Sequence, residues 1–324
     1  MLKLKSLLTE ASREELAIDL EKAFKAGPAA TRKFLDSPAG MSDIVRKDLL
    51  LAPDQDGDAT DDTVDVSTGS GDAKGFKPTQ SEIDLMKSVS FPLGSVKTFA
   101  DMIRKPIAKG IVVSDNLVID GHHRWSGAIA IGGDNAQVLG KDVQWPGSDT
   151  GEKLAAAQLA IAAKLGTGKK TPSQSKGFKT NIMGKGAGAI SKMIMANINK
   201  QTDPGAPGPL LNDEMMNKIA TEDKDNAIIM KWLGPALGKR VAQAENKVHT
   251  LRIAIATKVG ENLASLPSNE DAPARKDMPQ FDKKVKGPDL KTVTPSLTGK
   301  KGGFNVSPPF VKDGIIKLRN LLGR

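Results

Sequence analysis

The 324-residue chain has no cysteine and no tyrosine, three histidines, and only 4% aromatic residues. Without cysteine there are no disulfides, thiolate metal sites or cysteine nucleophiles, and the default expectation is a reducing, cytoplasmic setting. So few rings argue against a base-stacking platform for single-stranded nucleic acid, leaving backbone contact as the expected mode for any such partner. No apolar run approaches the roughly 18 residues that a bilayer span requires. The opening "MLKLKSLLTEASREELAIDLEKAF" acquires acids too early for a secretory leader, and no membrane association is expected. Hydrophobic residues at 39% and charged residues at 26% are thin for one globule, so ordered modules joined by solvated connectors are expected.

The net charge of +9 is unevenly spread. Residues 164–324 carry 28 Lys and Arg against 14 Asp and Glu, whereas residues 1–163 carry 19 against 24. The basic second half could hold DNA or another polyanion by releasing phosphate counterions. The alternative is that its lysines only keep polar linkers soluble.

Residues 1–52 read as a helical arm. Leu4, Leu7, Leu8, Ala11, Leu16, Leu20 and Phe24 fall near a 3.6-residue period, and a further helix is expected through "MSDIVRKDLLL". Residues 53–78 gather Asp, Gly, Ser and Thr without periodicity, the composition of an acidic linker. Their "DQDGDATDD" lacks the EF-hand spacing, because Gly57 falls at loop position 4 rather than 6. Residues 79–166 read in order as helix, hairpin around Ser114-Asp115-Asn116, helix, strand and helix, a mixed α/β domain. Thr79 or Ser81 is the expected cap of the first helix.

Residues 119–126, "IDGHHRWS", carry the chemistry. A strand passing through Gly121 into a helix exposes that helix's first amides, whose dipole favours an anion. Arg124 supplies a bidentate fork for phosphate and His123 a donor or a proton carrier. Asp120 could orient a histidine or hold a metal bound to phosphate. The plainer alternative makes Asp120 a cap, Trp125 core, and both histidines exposed polar residues of the first turn.

"VIDGHHRWSGAIAIGG" resembles the ParB/sulfiredoxin fold superfamily, whose members share a strand, Gly-x-x-Arg or Gly-x-His-Arg, and a helix gripping nucleotide phosphates. Gly121 and Arg124 match the ParB Gly-x-x-Arg-x-x-Ala box, with Gly127 where Ala is usual, a change the helix is expected to tolerate. The second ParB phosphate box, Glu-Asn-x-x-Arg, is not found after it. His122 stands where sulfiredoxins have their cysteine, which removes that chemistry. The Asp-Gly-x-His-Arg element is closer to the free serine kinase branch. The resemblance implies nucleotide phosphate on Gly121, His122, His123 and Arg124. It also implies ATP or another nucleotide, and catalysis by Asp120, His123 and an upstream Glu82; Mg2+ is expected with the nucleotide, held at Asp120.

After a basic connector at 167–186, whose "GTGKKT" lacks the first Walker glycine, a helical module is expected over 187–266. Its apolar stripes are Ile190, Ile194 and Ile198, and Val248, Leu251, Ile255, Val259 and Leu263, with His249 beside the second as a structural residue. Its methionines read as core filler. Residues 267–309 read as an extended or disordered linker and 310–324 as an amphipathic terminal helix able to dock on a partner. The fold expected is a ParB/sulfiredoxin-like mixed α/β core with a helical N-terminal arm, a helical C-terminal region and long flexible linkers. The leading function is nucleotide binding with ATP hydrolysis or phosphoryl transfer. The alternatives are a metal-dependent nuclease acting on DNA and a non-catalytic component of a phage particle or other assembly, in which case the protein is a virion one. The Lys/Leu-rich opening resembles that of many tailed-phage proteins.

Overall fold

The computed structural model describes residues 13–50, 66–145, 147–172, 177–201, 203–221 and 225–279. In chain order come α1 (Arg13–Lys25), α2 (Pro28–Leu35), a π-helical turn (Ile44–Leu49), β1 (Val66–Asp72), β2 (Lys77–Pro78), α3 (Leu85–Val89) and α4 (Val96–Arg104). Next are β3 (Ile107–Ser114), β4 (Leu117–Asp120), α5 (His122–Gly132), β5 (Gln137–Val143) and α6 (Thr150–Leu165). The last helices are α7 (Ala187–Met195), α8 (Asp213–Ala220), α9 (Asn226–Leu233), α10 (Pro235–Ala242) and α11 (Lys247–Ala264). The fold is mixed α/β, as the sequence predicts. The described residues divide into two compact units, the first made of residues 13–50, 66–67, 143–145, 147–172 and 276–279 and the second of 68–142, 177–201, 203–221 and 225–275.

In the first unit Leu16, Leu20 and Phe24 form the buried stripe of α1, one residue per turn. Gly27, at φ +90°, turns the chain into α2, which opens on Pro28. Asp149 caps α6 by accepting the Glu152 amide at 2.8 Å. α1 and α2 both pack on α6, expected from sequence to close the α/β domain. Its stretch Leu154–Ala163 is buried on every side, and its many alanines let neighbouring helices approach closely.

Between the helix ends lies Arg46, with no solvent exposure. Its Nε donates to Gly40 O at 2.7 Å, Nη2 to Leu35 O at 2.7 Å and Lys169 O at 3.2 Å, and Nη1 to Ala162 O. Leu35 ends α2 and Ala162 lies in the last turn of α6, so one guanidinium serves carbonyls at the negative ends of two helix dipoles. Burial lowers its pKa and the Asp36 charge opposes that shift.

The second unit is built on a five-stranded sheet of order β1-β5-β3-β4-β2. β3 and β4 form the predicted antiparallel hairpin, turning at Asp115 with φ 52°, while β3–β5 and β2–β4 pair in parallel. A register shift between Lys109 and Ile111 makes Gly110, at φ +65°, a bulge in β3. Opposite it, a Cβ on Gly140 would stand 2.0 Å from Ile111 O, so only glycine fits.

Helices α7–α11, read from sequence as a separate module, share the core of this sheet. Ile190, Ile194, Leu251, Ile255, Val259 and Leu263 belong to one buried cluster with Ile111, Val118, Trp125, Ile129 and Val138. α11 crosses α7 at Gly260, where a Cβ would lie 2.6 Å from Ala187 O. Asn262 Nδ2 and Trp232 Nε1 donate to Ala130 O and Ile131 O at the end of α5, at 2.9 and 2.6 Å. Periodicity identifies the buried face of a helix, not the surface that buries it.

Two expected connectors are also structured where described. Residues 66–78 supply β1 and β2, and Ala73 N donates to Ala136 O at 2.8 Å while Ala73 O accepts Trp125 Nε1 at 2.7 Å. Residues 180–182 run beside α3's entry: Leu85 N donates to Thr180 O and Ile182 N to Ile83 O, both at 2.9 Å. The acidic run at 54–62 and the expected terminal helix lie outside the described residues. No described helix is long and apolar enough to cross a membrane.

Candidate functional site

β4 delivers Asp120 to its end, and Gly121 makes the turn into α5 at φ +95°. A Cβ there would sit 2.6 Å from Ile111 Cγ2 and 3.0 Å from Arg124 Nη2, so glycine is required by both conformation and space. Gly121 O accepts the Arg124 and Trp125 amides at 2.9 Å, and no side chain caps the helix. Arg124 Nη2 donates to Asp120 Oδ2 at 3.2 Å, with side chains 39% and 25% exposed. The pair thus stays partly open to solvent.

The two histidines are neither exposed nor alike. His122 is buried, and its Nε2 accepts the Thr79 amide at 3.1 Å, while Thr79 Oγ1 donates to Val118 O at 2.7 Å. His123 Nε2 accepts the Asp84 amide at 3.3 Å, and its ring meets Phe178 edge-on at 5.3 Å. Both rings must be neutral at Nε2 to accept, which places the proton on Nδ1. Burial, helped by the Arg275 charge, pushes the His122 pKa down to about 3. Burial, with Lys87, His122, Arg275 and Arg124 around it, drives His123 well below its usual value. Thr79, the expected helix cap, instead binds His122; Asp84 caps α3, accepting the Lys87 amide at 2.9 Å and the Thr180 hydroxyl at 2.7 Å.

Glu82 is occupied elsewhere. Its Oε2 accepts the Phe178 amide at 2.9 Å. Phe178 in turn lies under Arg275, whose guanidinium carbon is 4.0 Å from the ring centroid, and under Lys87 at 5.1 Å.

Beside the start of α5 opens a cleft of about 820 Å³. His123 and Arg124 line it, joined by Lys87, Lys97, Lys105 and Lys109 against the acids Asp101 and Asp203. Lys97 pairs with Asp101 at 2.6 Å, whereas Lys87, Lys105 and Lys109 make no salt bridge among the described residues. The bulge at Gly110 brings the backbone next to Lys109 under Arg124, whose Nη1 lies 3.6 Å from where a Gly110 Cβ would stand. Of the residues singled out from sequence, His123 and Arg124 line the cleft, while Asp120 and Gly121 flank Arg124 from the strand end. His122 and Glu82 serve the packing of residues 79–84 and 178 instead. The lysines were missed because they come from α3, α4, the residue that follows α4, and β3, with no spacing that marks a common site. No group of three or more His, Asp or Glu is gathered as for a metal among the described residues.

α3 and α5 meet closely along this wall. A Cβ on Gly127 would lie 2.6 Å from Ser88 O, and the Ser88 and Ser126 hydroxyls are 2.7 Å apart. Gly127→Ala, the residue usual in the ParB box, is therefore expected to destabilise the protein. Overpacking of this kind costs about 1–3 kcal/mol, which outweighs the roughly 1 kcal/mol that alanine gains in helix propensity. Thermal melting checks this, and a raised melting temperature would show that the contact yields.

Comparison of the chain with protein-family models, curated proteins and solved structures finds no match.

Proposed function

We propose that the second unit binds the phosphates of a nucleotide at the start of α5, and that ATP hydrolysis or phosphoryl transfer is the reaction served. The observation that carries this is the convergence of Arg124 and four lysines on one cleft beside an uncapped helix start. The Gly-x-x-Arg resemblance supports the same ligand. His123, neutral and accepting at Nε2, fits the role of a fixed Nδ1–H donor better than that of a proton carrier. Glu82, held by the Phe178 amide, does not fit the role of base. A Mg2+ ion fits only through Asp120 and the phosphates themselves, since hard cations accept phosphate and water oxygens for most of their shell.

Thermal shift with Mg-ATP or Mg-ADP tests the reading. Ligand at a hundredfold excess over its Kd adds about 2.7 kcal/mol of stability, so wild-type protein should melt measurably higher. Arg124→Ala should abolish the shift, and Arg124→Lys should keep part of it, having the charge without the fork. Absence of a shift with every nucleoside triphosphate would sink the proposal; release of phosphate from ATP, lost in Arg124→Ala, would establish the reaction.

A further inference from the structure

Phe91 is 52% exposed, an unusual position for a phenylalanine in a chain with so few rings. It lines the same cleft as Arg124, as do the apolar Pro92, Met102 and Ile107. Its distance from the cationic end follows from how α3 lies on α5. Asp84 N meets His123 Nε2, and Ser88, four residues on, meets Gly127, also four residues on. The two helices therefore run parallel and in register. Ser90 N donates to Met86 O and Leu93 N to Val89 O, so the helical path of α3 continues through Phe91. Seven residues of helix separate Phe91 from Asp84, which at 1.5 Å per residue is about 10 Å. That span suits a base at one end of the cleft and phosphates at the other, bridged by a ribose.

We infer that Phe91 stacks the base of the bound nucleotide and that the cleft's ligand is a nucleoside polyphosphate rather than a simple phosphate. This rests on the phosphate-binding reading above and adds the apolar half of the ligand. Every base offers a π-face, so stacking on Phe91 selects for a nucleotide without selecting among bases. Arg124 and the lysines then fix the polyphosphate end.

Titration calorimetry of the full-length chain with ATP and with inorganic tripolyphosphate, which has the same three phosphates but no nucleoside, separates the two parts. Wild type should bind ATP more tightly than tripolyphosphate. Phe91→Ala should weaken ATP roughly 5- to 100-fold, the range that removal of one stacking ring produces, and leave tripolyphosphate unchanged. Phe91→Trp should keep ATP affinity. If tripolyphosphate binds as tightly as ATP, or Phe91→Ala binds ATP as wild type does, the stacking role falls and the phosphate site stands. An equal loss for both ligands in Phe91→Ala makes the ring part of the fold and likewise overturns the stacking role. If neither ligand binds wild type, both readings fall together.

Discussion

Replacing Arg46 by methionine should cost the first unit about 3 kcal/mol or more, because Gly40 O, Leu35 O and Lys169 O lose a shared buried donor at about 1–3 kcal/mol each, while Ala162 O keeps the Gly166 amide. Methionine fills much of the volume, so the loss reports the hydrogen bonds rather than a cavity. Arg46→Lys should recover little, since one ammonium cannot reach carbonyls at the ends of α2 and α6 and in two loops together. Hydrogen exchange of α6 amides is the sharpest reading. A loss of that size reduces their protection by roughly two orders of magnitude or more. Protection unchanged in Arg46→Met would mean that the helices need no such hub.

Acidification should weaken the second unit well before carboxylates titrate. His122 has a folded pKa of about 3 against an unfolded value of about 6.5. With the folded pKa depressed, the unfolded chain takes up the proton first. The stability that neutral His122 contributes is full above about pH 6.5 and is lost progressively as pH falls toward 3, about 2 kcal/mol of it by pH 5. His123 acts in the same direction. Burial is the main cause and the Arg275 charge adds to it, and a protonated Nε2 would also face the Thr79 amide donor to donor. Urea unfolding at pH 7.5 and pH 5 measures the difference. His122→Gln, which offers an acceptor that does not titrate, should be less stable at pH 7.5 yet lose about 2 kcal/mol less on acidification. An undiminished pH dependence in that variant would assign the effect to other groups.

The hairpin at Asp115, the glycine turn at 121 and the stripes of α7 and α11 were legible because each is written within a few residues. The roles of the histidines were not. Thr79 and Asp84 decide them from about 40 positions away, and no local pattern states that an imidazole will accept a backbone amide. β1 was hidden by composition: "VSTGSGD" reads as a linker, yet Gly69 lies where a Cβ would be 2.8 Å from Val113 Cγ2, so the absence of side chains is what lets the strand fit. Charge counting pointed to the basic second half, whereas the cleft's cations all come from residues 87–124 in the acidic half. Arg46, in a run that reads as an ordinary amphipathic helix, gave no sign that it is buried.

The interleaving of the two units sets a timetable for the nascent chain. α2 is complete at Leu35, but its partner α6 begins at Thr150. At about 5–20 residues per second, α1, with its stripe of Leu16, Leu20 and Phe24, waits roughly 6–23 seconds on the ribosome for the start of α6, one of the elements packed on it. The sheet waits in turn, since its last strand ends at Val143 and α11 is not finished until Ala264. Neither unit can mature and then hand over to the next, as consecutive domains do. Translation speed between Leu35 and Thr150 therefore sets how long the α1 stripe stays without α6.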